Sequence, residues 1–150
     1  NNETKHRGVA AYFCHNSYAA HVLDVKMENG KPVVEKVVCA IDCGVVVNPD
    51  AATNMAEGAI TDGVGNAFFG GLTFKDGVPQ KNNFHQYQMI RMKEAPKEID
   101  VHFVQNEIDP TGMGEPPLPP VCGAVANALY KATGQRHYSQ PFITKKEVVG

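Results

Sequence analysis

Residues 18 to 42 read YAAHVLDVKMENGKPVVEKVVCAID. They contain two runs rich in β-branched residues, 18 to 27 and 32 to 42, on either side of Asn29-Gly30, a pair that tolerates the positive φ of a tight turn. This pattern predicts a β-hairpin. Residues 8 to 13 (GVAAYF) are expected to add a third strand, because both longer runs are apolar enough to be covered on at least one face.

A long helix is predicted after the hairpin, over residues 49 to 69. Asn48 is a favourable N-cap, Pro49 suits the first helical position, and Asp50 favours the positive end of the helix dipole. Apolar residues follow at helical spacing: Ala52, Met55, Ala56, Ala59, Ile60, Val64, Ala67 and Phe68.

Three glycines interrupt this helix, at positions 58, 63 and 65. Each costs about 1 kcal/mol relative to Ala in a helix interior. Either these glycines allow close packing against the sheet, or they let the backbone approach a bulky ligand. The sequence leaves both interpretations open.

The later elements complete an α+β pattern. Asp76-Gly77 predicts a turn, Ile99 to Val104 alternates like a strand, and a second helix is expected over about 120 to 133, with Gly134 as its C-terminal cap. The fold class is therefore α+β, a hairpin-containing sheet packed with two main helices. We expect residues 1 to 150 to form a single domain.

Composition excludes several functional classes. The net charge is −2, with six His and scattered Lys and Arg, so there is no basic stripe for nucleic acid. No apolar run approaches the roughly 20 residues of a membrane span, and no signal peptide precedes the first strand. The chain lacks an initiating Met, which suggests a piece of a longer polypeptide. Its compartment, bacterial cytoplasm or periplasm, would depend on a missing N-terminal signal.

Four cysteines, Cys14, Cys39, Cys43 and Cys122, show no C-x-x-C pair. Buried free thiols are expected, because ligand pairs at zinc spacing are missing and a chain with this much core has little need of disulfides.

The segment Asp109 to Pro120, DPTGMGEPPLPP, is the most unusual stretch of the chain. Gly112 and Gly114 allow backbone conformations closed to other residues, and the following prolines rigidify the chain, so Glu115 is held on a stiff loop. Neighbours of Gly, Pro, Met and Leu predict a partly desolvated carboxylate, and desolvation raises a carboxyl pKa towards the range of a general base. The alternative is an ordinary surface Glu.

Three blocks resemble, in order and spacing, the C-terminal part of the molybdenum-binding large subunit of the xanthine dehydrogenase and aldehyde oxidase family. They are VVCAIDCGVVVNPDAATNMAEGAI at 37 to 60, NFHQYQMIRMKEAP at 83 to 96 and DPTGMGEPPLPPVCGAVANALYKATGQR at 109 to 136. The motifs P-T-G-x-G-E and A-V-A-N-A are most similar to those of the bacterial two-component type, which includes the isoquinoline 1-oxidoreductase β subunit.

The resemblance implies a role for Glu115 as the base that deprotonates a hydroxyl ligand of molybdenum. The enzyme would then hydroxylate an N-heterocycle or an aldehyde, with water as the source of oxygen. Met55, Gly58 and Gly114 are implied at the cofactor, and Cys122 is expected to be packing. No residue of this chain is expected to ligate the metal, because the pterin dithiolene holds it in this family.

The resemblance also implies cofactors and partners. They are molybdopterin in its cytosine dinucleotide form, 2Fe-2S clusters on an iron–sulfur subunit, and the upstream part of the same large subunit. The isolated fragment should be inactive and free of cofactor and metal. One departure is Met55, where relatives often carry a Gln that donates a hydrogen bond near the metal; Met cannot donate. A non-catalytic descendant with an assembly or structural role is therefore the alternative.

Overall fold

The computed structural model describes residues 5 to 143. Its central feature is a four-stranded sheet in the order β1-β2-β3-β6, beside a small two-stranded sheet, β4-β5. The elements in chain order are β1 (His6–Cys14), β2 (Ser17–Glu28), β3 (Lys31–Asp42), α1 (Pro49–Phe69), β4 (Phe74–Lys75), β5 (Val78–Pro79), β6 (Glu98–Phe103) and α2 (Pro119–Thr133). The predicted α+β class, with two main helices on a hairpin-containing sheet, is confirmed.

The predicted hairpin is the pair β2–β3, which is antiparallel. Its turn places Asn29 at φ 51° and Gly30 at φ 78°, in the left-handed region that this dipeptide tolerates. The expected third strand is β1, antiparallel to β2. A second left-handed pair, His15 at φ 51° and Asn16 at φ 58°, forms the β1–β2 turn.

The fourth strand, β6, pairs in parallel with β3, with Val37 opposite Ile99 and Ile41 opposite Phe103. A parallel partner requires a crossover, and α1 lies within the connection between the two strands. The strand predicted at Ile99 to Val104 is confirmed with its bounds shifted by one residue. The predicted turn is also present, with Asp76 at φ 50° and Gly77 at φ 77°.

Helix α1 has the predicted bounds. Asn48 is extended (φ −132°, ψ 95°) and its side-chain oxygen accepts a hydrogen bond from Ala51 N at 3.1 Å. Six residues of the predicted apolar stripe are buried, but Met55 is exposed and Ala59 only partly buried. These two residues face a groove instead of the core.

Close packing explains two of the three glycines of α1 and leaves the third unexplained. A Cβ on Gly63 would lie 2.8 Å from Val121 of α2, and one on Gly65 would lie 2.9 Å from Ile90. Both glycines thus permit close packing, against the neighbouring helix and a loop rather than against the sheet. A Cβ on Gly58 would meet nothing within 4 Å, so packing within the described residues does not explain that glycine.

Helix α2 lies across β1 and β2. It ends at Gly134, whose φ of 74° and N–H bond to Tyr130 O form the expected left-handed cap. A Cβ on Gly8 of β1 would overlap the backbone of Ala124, which shows how closely helix and strand approach. One core joins the sheet to both helices and includes Leu23, Ile41, Ile60, Phe68, Val121 and Val125.

Within the described residues all four cysteines are free thiols. Cys39 and Cys43 are buried as expected, and burial raises the pKa of Cys39 to about 12. Cys14 and Cys122 are only half-buried, so the expectation of buried thiols is wrong for these two. No helix between residues 5 and 143 combines the length and apolarity needed to cross a membrane.

Candidate functional site

The loop that carries Glu115, residues 109 to 118, starts beside the N-terminus of α1. Val45 N donates to Ile108 O at 2.9 Å, and Thr111 N donates to Cys43 O at 2.9 Å. Gly44, at φ 70°, has no room for a side chain, because a Cβ there would overlap the carbonyl oxygen of Asp109. The exit of β3 therefore fixes where the loop begins.

The loop is then bonded to the β1–β2 hairpin. Gly112 N donates to His15 O at 3.0 Å. Ser17 Oγ donates to Gly112 O at 2.5 Å and lies 2.7 Å from Thr111 Oγ1. These bonds join residues almost 100 positions apart in sequence, and they hold the approach to Glu115 in place.

His21 anchors the other end of the loop. This residue is fully buried on β2, and its Nε2 lies 2.6 Å from Pro117 O. A carbonyl oxygen only accepts, so Nε2 carries the proton and Nδ1, which has no partner among the described residues, does not. Burial lowers the pKa of His21 despite the opposing effect of the bond to Pro117. The imidazole is therefore a neutral donor that fixes the backbone two residues after Glu115.

Glu115 itself points away from the core. Its side chain is 79% exposed, whereas the two following prolines are buried. The expected partial desolvation of this carboxylate is wrong for the described chain. The prolines, not the carboxylate, occupy the apolar surroundings that the loop sequence predicts.

The Glu115 carboxylate has a partner that the sequence did not reveal. His15 Nε2 lies 2.7 Å from Glu115 Oε2, with the imidazole side chain 57% exposed. The contact joins positions 100 residues apart and depends on the hairpin register and on the loop bonds. A signal that could have been used is His15-Asn16 between two β-type runs, because both residue types are enriched at positive φ.

The carboxylate borders a groove of about 570 Å³ between α1 and the loop. The lining of this Glu115 groove combines apolar residues and glycines with two carboxylates: Met55, Gly58, Ala59, Asp62, Gly114, Glu115, Leu118 and Pro119. All four residues that the sequence nominated, Met55, Gly58, Gly114 and Glu115, thus meet in one place.

Three of those residues shape the groove. Met55 is 51% exposed, so it is not a core filler. A Cβ on Gly114 would lie 2.7 Å from Met55 Cε, and Gly114 therefore lets the loop pass close to α1. Gly58 presents bare backbone to the open side of the groove.

A second cavity, of about 640 Å³, is lined by residues of the 83 to 91 segment together with Phe69, Lys81, Pro141 and Ile143. It shares no lining residue with the Glu115 groove and contains no carboxylate. Within residues 5 to 143, no three His, Cys, Asp or Glu side chains cluster in a way that could hold a metal ion.

Comparison with known proteins gives concordant matches. Residues 1–96 match the family described as the molybdopterin cofactor-binding domain. The chain is 34% identical over 128 residues to isoquinoline 1-oxidoreductase subunit beta of Brevundimonas diminuta, covering 84% of this chain and 16% of that protein. It is 32% identical over 117 residues to the membrane-bound aldehyde dehydrogenase (pyrroloquinoline-quinone) of Gluconacetobacter polyoxogenes, covering 78% and 15%.

The fold also matches solved structures. Aldehyde oxidoreductase from Desulfovibrio gigas superposes with a TM-score of 0.70 at 24% identity, over 88% of this chain and 15% of that one. That likeness shows the fold. The chain spans no more than 16% of the length of each of these three proteins.

Proposed function

This chain belongs to the molybdopterin cofactor-binding domain family found in molybdenum-binding subunits of the xanthine dehydrogenase type, and from that premise we propose that it is part of a molybdenum hydroxylase in which Glu115 is the general base. The supporting observation is the Glu115 groove, where residues from α1 and from the loop, about 60 positions apart, meet beside the Glu115 carboxylate. Similar proteins are named for action on N-heterocycles or aldehydes: isoquinoline 1-oxidoreductase, nicotine 6-hydroxylase and aldehyde oxidoreductase. We propose a substrate of one of these two classes.

The groove residues fit a molybdopterin. Gly58 leaves open space where any other residue would place a side chain, and Gly114 keeps the loop backbone clear of side-chain bulk. The rest of the lining is mostly apolar, which suits a flat ring system better than a phosphate. We propose that Met55, Gly58 and Gly114 border the cofactor and that cations for its phosphates come from elsewhere in the assembly.

The cofactor and Glu115 would supply different parts of the reaction. The bound cofactor supplies the two-electron oxidation and the activation of water-derived oxygen. Glu115 accepts the proton released in that step, which requires its carboxylate to be ionised, aimed and close. The loop bonds to Cys43, His15 and His21 keep its backbone fixed while the proton is taken up.

The exposure of Glu115 in this chain is compatible with that role. The groove between α1 and the loop is open to solvent, so a bound cofactor and the upstream part of the subunit would exclude water from it. Large exposed apolar side chains on β1 and β2, such as Tyr12, Phe13 and Tyr18, suit a surface that another part of the subunit covers. We further propose the cytosine dinucleotide form of the cofactor and an iron–sulfur partner subunit that takes the electrons, as in the two-component relatives that the sequence resembles.

The direct test is Glu115→Gln in the full-length subunit purified with its partner. The amide keeps the size of the side chain but cannot accept the proton, so turnover should fall at least about 10²-fold and as much as 10⁴-fold, the usual contribution of a general base. Molybdenum content should not change. The matched control is Glu107→Gln, the same chemical change at an exposed residue outside the groove, which should leave turnover within about twofold. Near-normal turnover of Glu115→Gln would contradict the assignment.

The second candidate is a non-catalytic descendant with an assembly or structural role. Met55 favours it, because a thioether cannot donate the hydrogen bond that a Gln would supply. Molybdenum and iron analysis of the full-length assembly separates the two: stoichiometric molybdenum supports the hydroxylase, and absence of both metals supports the descendant.

A further inference from the structure

We propose that His15 is a positioning residue for Glu115, holding one carboxylate oxygen so that the other is presented to the Glu115 groove; this inference rests on the proposed function. His15 Nε2 contacts Oε2 at 2.7 Å. Each ring nitrogen of His donates when protonated, and a carboxylate oxygen only accepts, so the contact fixes the orientation of the carboxylate. The free oxygen, Oε1, is the one available to take a proton.

His15 is placed by the fold and not by chance proximity. Its backbone is in the left-handed region at φ 51°, where the β1–β2 turn leaves the sheet. Its carbonyl oxygen accepts from Gly112 N at 3.0 Å. Gly112 lies so close that a Cβ there would overlap His15 Cβ. The turn and the loop are therefore in contact through backbone and side chain, and both ends of the His15–Glu115 contact are anchored.

Among the described residues that line the groove, no other side chain can hold the Glu115 carboxylate in this way. The remaining lining side chains are apolar or absent, apart from Asp62, a carboxylate that would repel Glu115. An unrestrained Glu side chain samples several rotamers, and a misplacement of about 1 Å of a reacting group can cost 100-fold in rate. The catalytic effect of holding Glu115 is therefore expected to exceed its effect on stability, because an exposed contact of this kind contributes little to the free energy of unfolding.

The test uses the full-length, cofactor-loaded assembly with two substitutions at position 15. Asn tolerates the left-handed backbone but ends short of Glu115, so His15→Asn should lower kcat about 10- to 100-fold with KM within twofold. Gln reaches about as far as the imidazole Nε2 and carries a donor, so His15→Gln should recover most of the lost kcat. A His15→Gln variant no better than His15→Asn would overturn the proposal.

A double-substitution cycle shows whether His15 acts through Glu115. In a Glu115→Gln background, His15→Asn should change kcat by less than about twofold, because the group it positions no longer accepts a proton. A full additional loss would overturn the proposal. Near-normal turnover of Glu115→Gln alone would instead refute the proposed function. If Glu115→Gln abolishes turnover but His15→Asn does not change it, only the role of His15 is refuted.

Two readouts are independent of turnover. Molybdenum content should be the same in His15→Asn and wild type, and a fall in proportion to kcat would show that His15 serves assembly instead. A crystal structure of the His15→Asn assembly should show the Glu115 carboxylate in a new or multiple rotamer while residues 111 to 117 keep their backbone path. An unchanged, well-ordered Glu115 would overturn the proposal.

Discussion

At the scale of single residues, two histidines hold the loop that carries Glu115: His15 contacts its carboxylate and His21 bonds to Pro117 O. Glu115 stands out because glycines and prolines surround it in a short segment. His15 lies in the β1–β2 turn and His21 on β2, so their contacts with this loop depend on the register of strand pairing and on long-range bonds. A local pattern cannot encode such contacts, so both were missed.

The Arg7–Asp24 ion pair gives a prediction at the same scale. Arg7 Nε and NH2 donate to the two carboxylate oxygens of Asp24 at 2.8 Å each, across the β1–β2 pair. The hydrogen bonds from Arg7 are the main cause that lowers the pKa of Asp24 below its ordinary 3.8, against an opposing effect of burial. A lowered carboxyl pKa contributes stability that is present above the unfolded-state pKa and lost as pH falls through the folded-state value.

We therefore expect Arg7→Gln to weaken β1–β2 pairing at neutral pH, because it removes both hydrogen bonds to the Asp24 carboxylate. The difference from wild type should shrink as pH falls below about 4. Hydrogen exchange of β1 and β2 amides in the full-length subunit, measured from pH 3 to 7, checks this. A difference between the two proteins that stays constant down to pH 3 would show that the ion pair is not its cause.

At the scale of elements, capping and periodicity were sufficient for the helices. Asn48, Pro49 and Gly134 mark helix ends by local chemistry, so the bounds of α1 were predicted and those of α2 to within one residue. The parallel pairing of β6 with β3 was not predicted, because it depends on the path of the intervening chain. The three glycines of α1 look alike in sequence, and only the tertiary neighbours separate the packing glycines from Gly58.

Gly58 gives the prediction for α1. No described residue requires a glycine there, and a larger residue should be tolerated by the helix itself, since Gly is about 1 kcal/mol less favourable than Ala. Gly58→Leu should fill the open side of the groove and lower the molybdenum content of the full-length assembly several-fold without unfolding it. Asn54→Leu, an exposed position of α1 outside the groove lining, is the matched control. Equal molybdenum content in both variants would remove Gly58 from the cofactor site.

At the scale of the whole molecule, the sheet acts as a scaffold for one edge of a site. The β1–β2 turn, the exit of β3 and the start of α1 all bond to or border the same loop. The proposed single domain over residues 1 to 150 stays a prediction, and so does its place in a larger subunit. The chain lines the groove with α1 and the loop and leaves it open to solvent, so the residues that select a substrate are expected on the parts of the assembly that face this opening.

We propose above all that the loop presents the Glu115 carboxylate to the cofactor. A crystal or cryo-EM structure of the full-length, cofactor-loaded assembly tests it most directly. We predict that Glu115 is the protein carboxylate nearest the molybdenum and lies within about 2.6–3.2 Å of a ligand oxygen, directly or through one water, with His15 on its other oxygen. A cofactor bound elsewhere, with Glu115 directed into bulk solvent, would contradict the account.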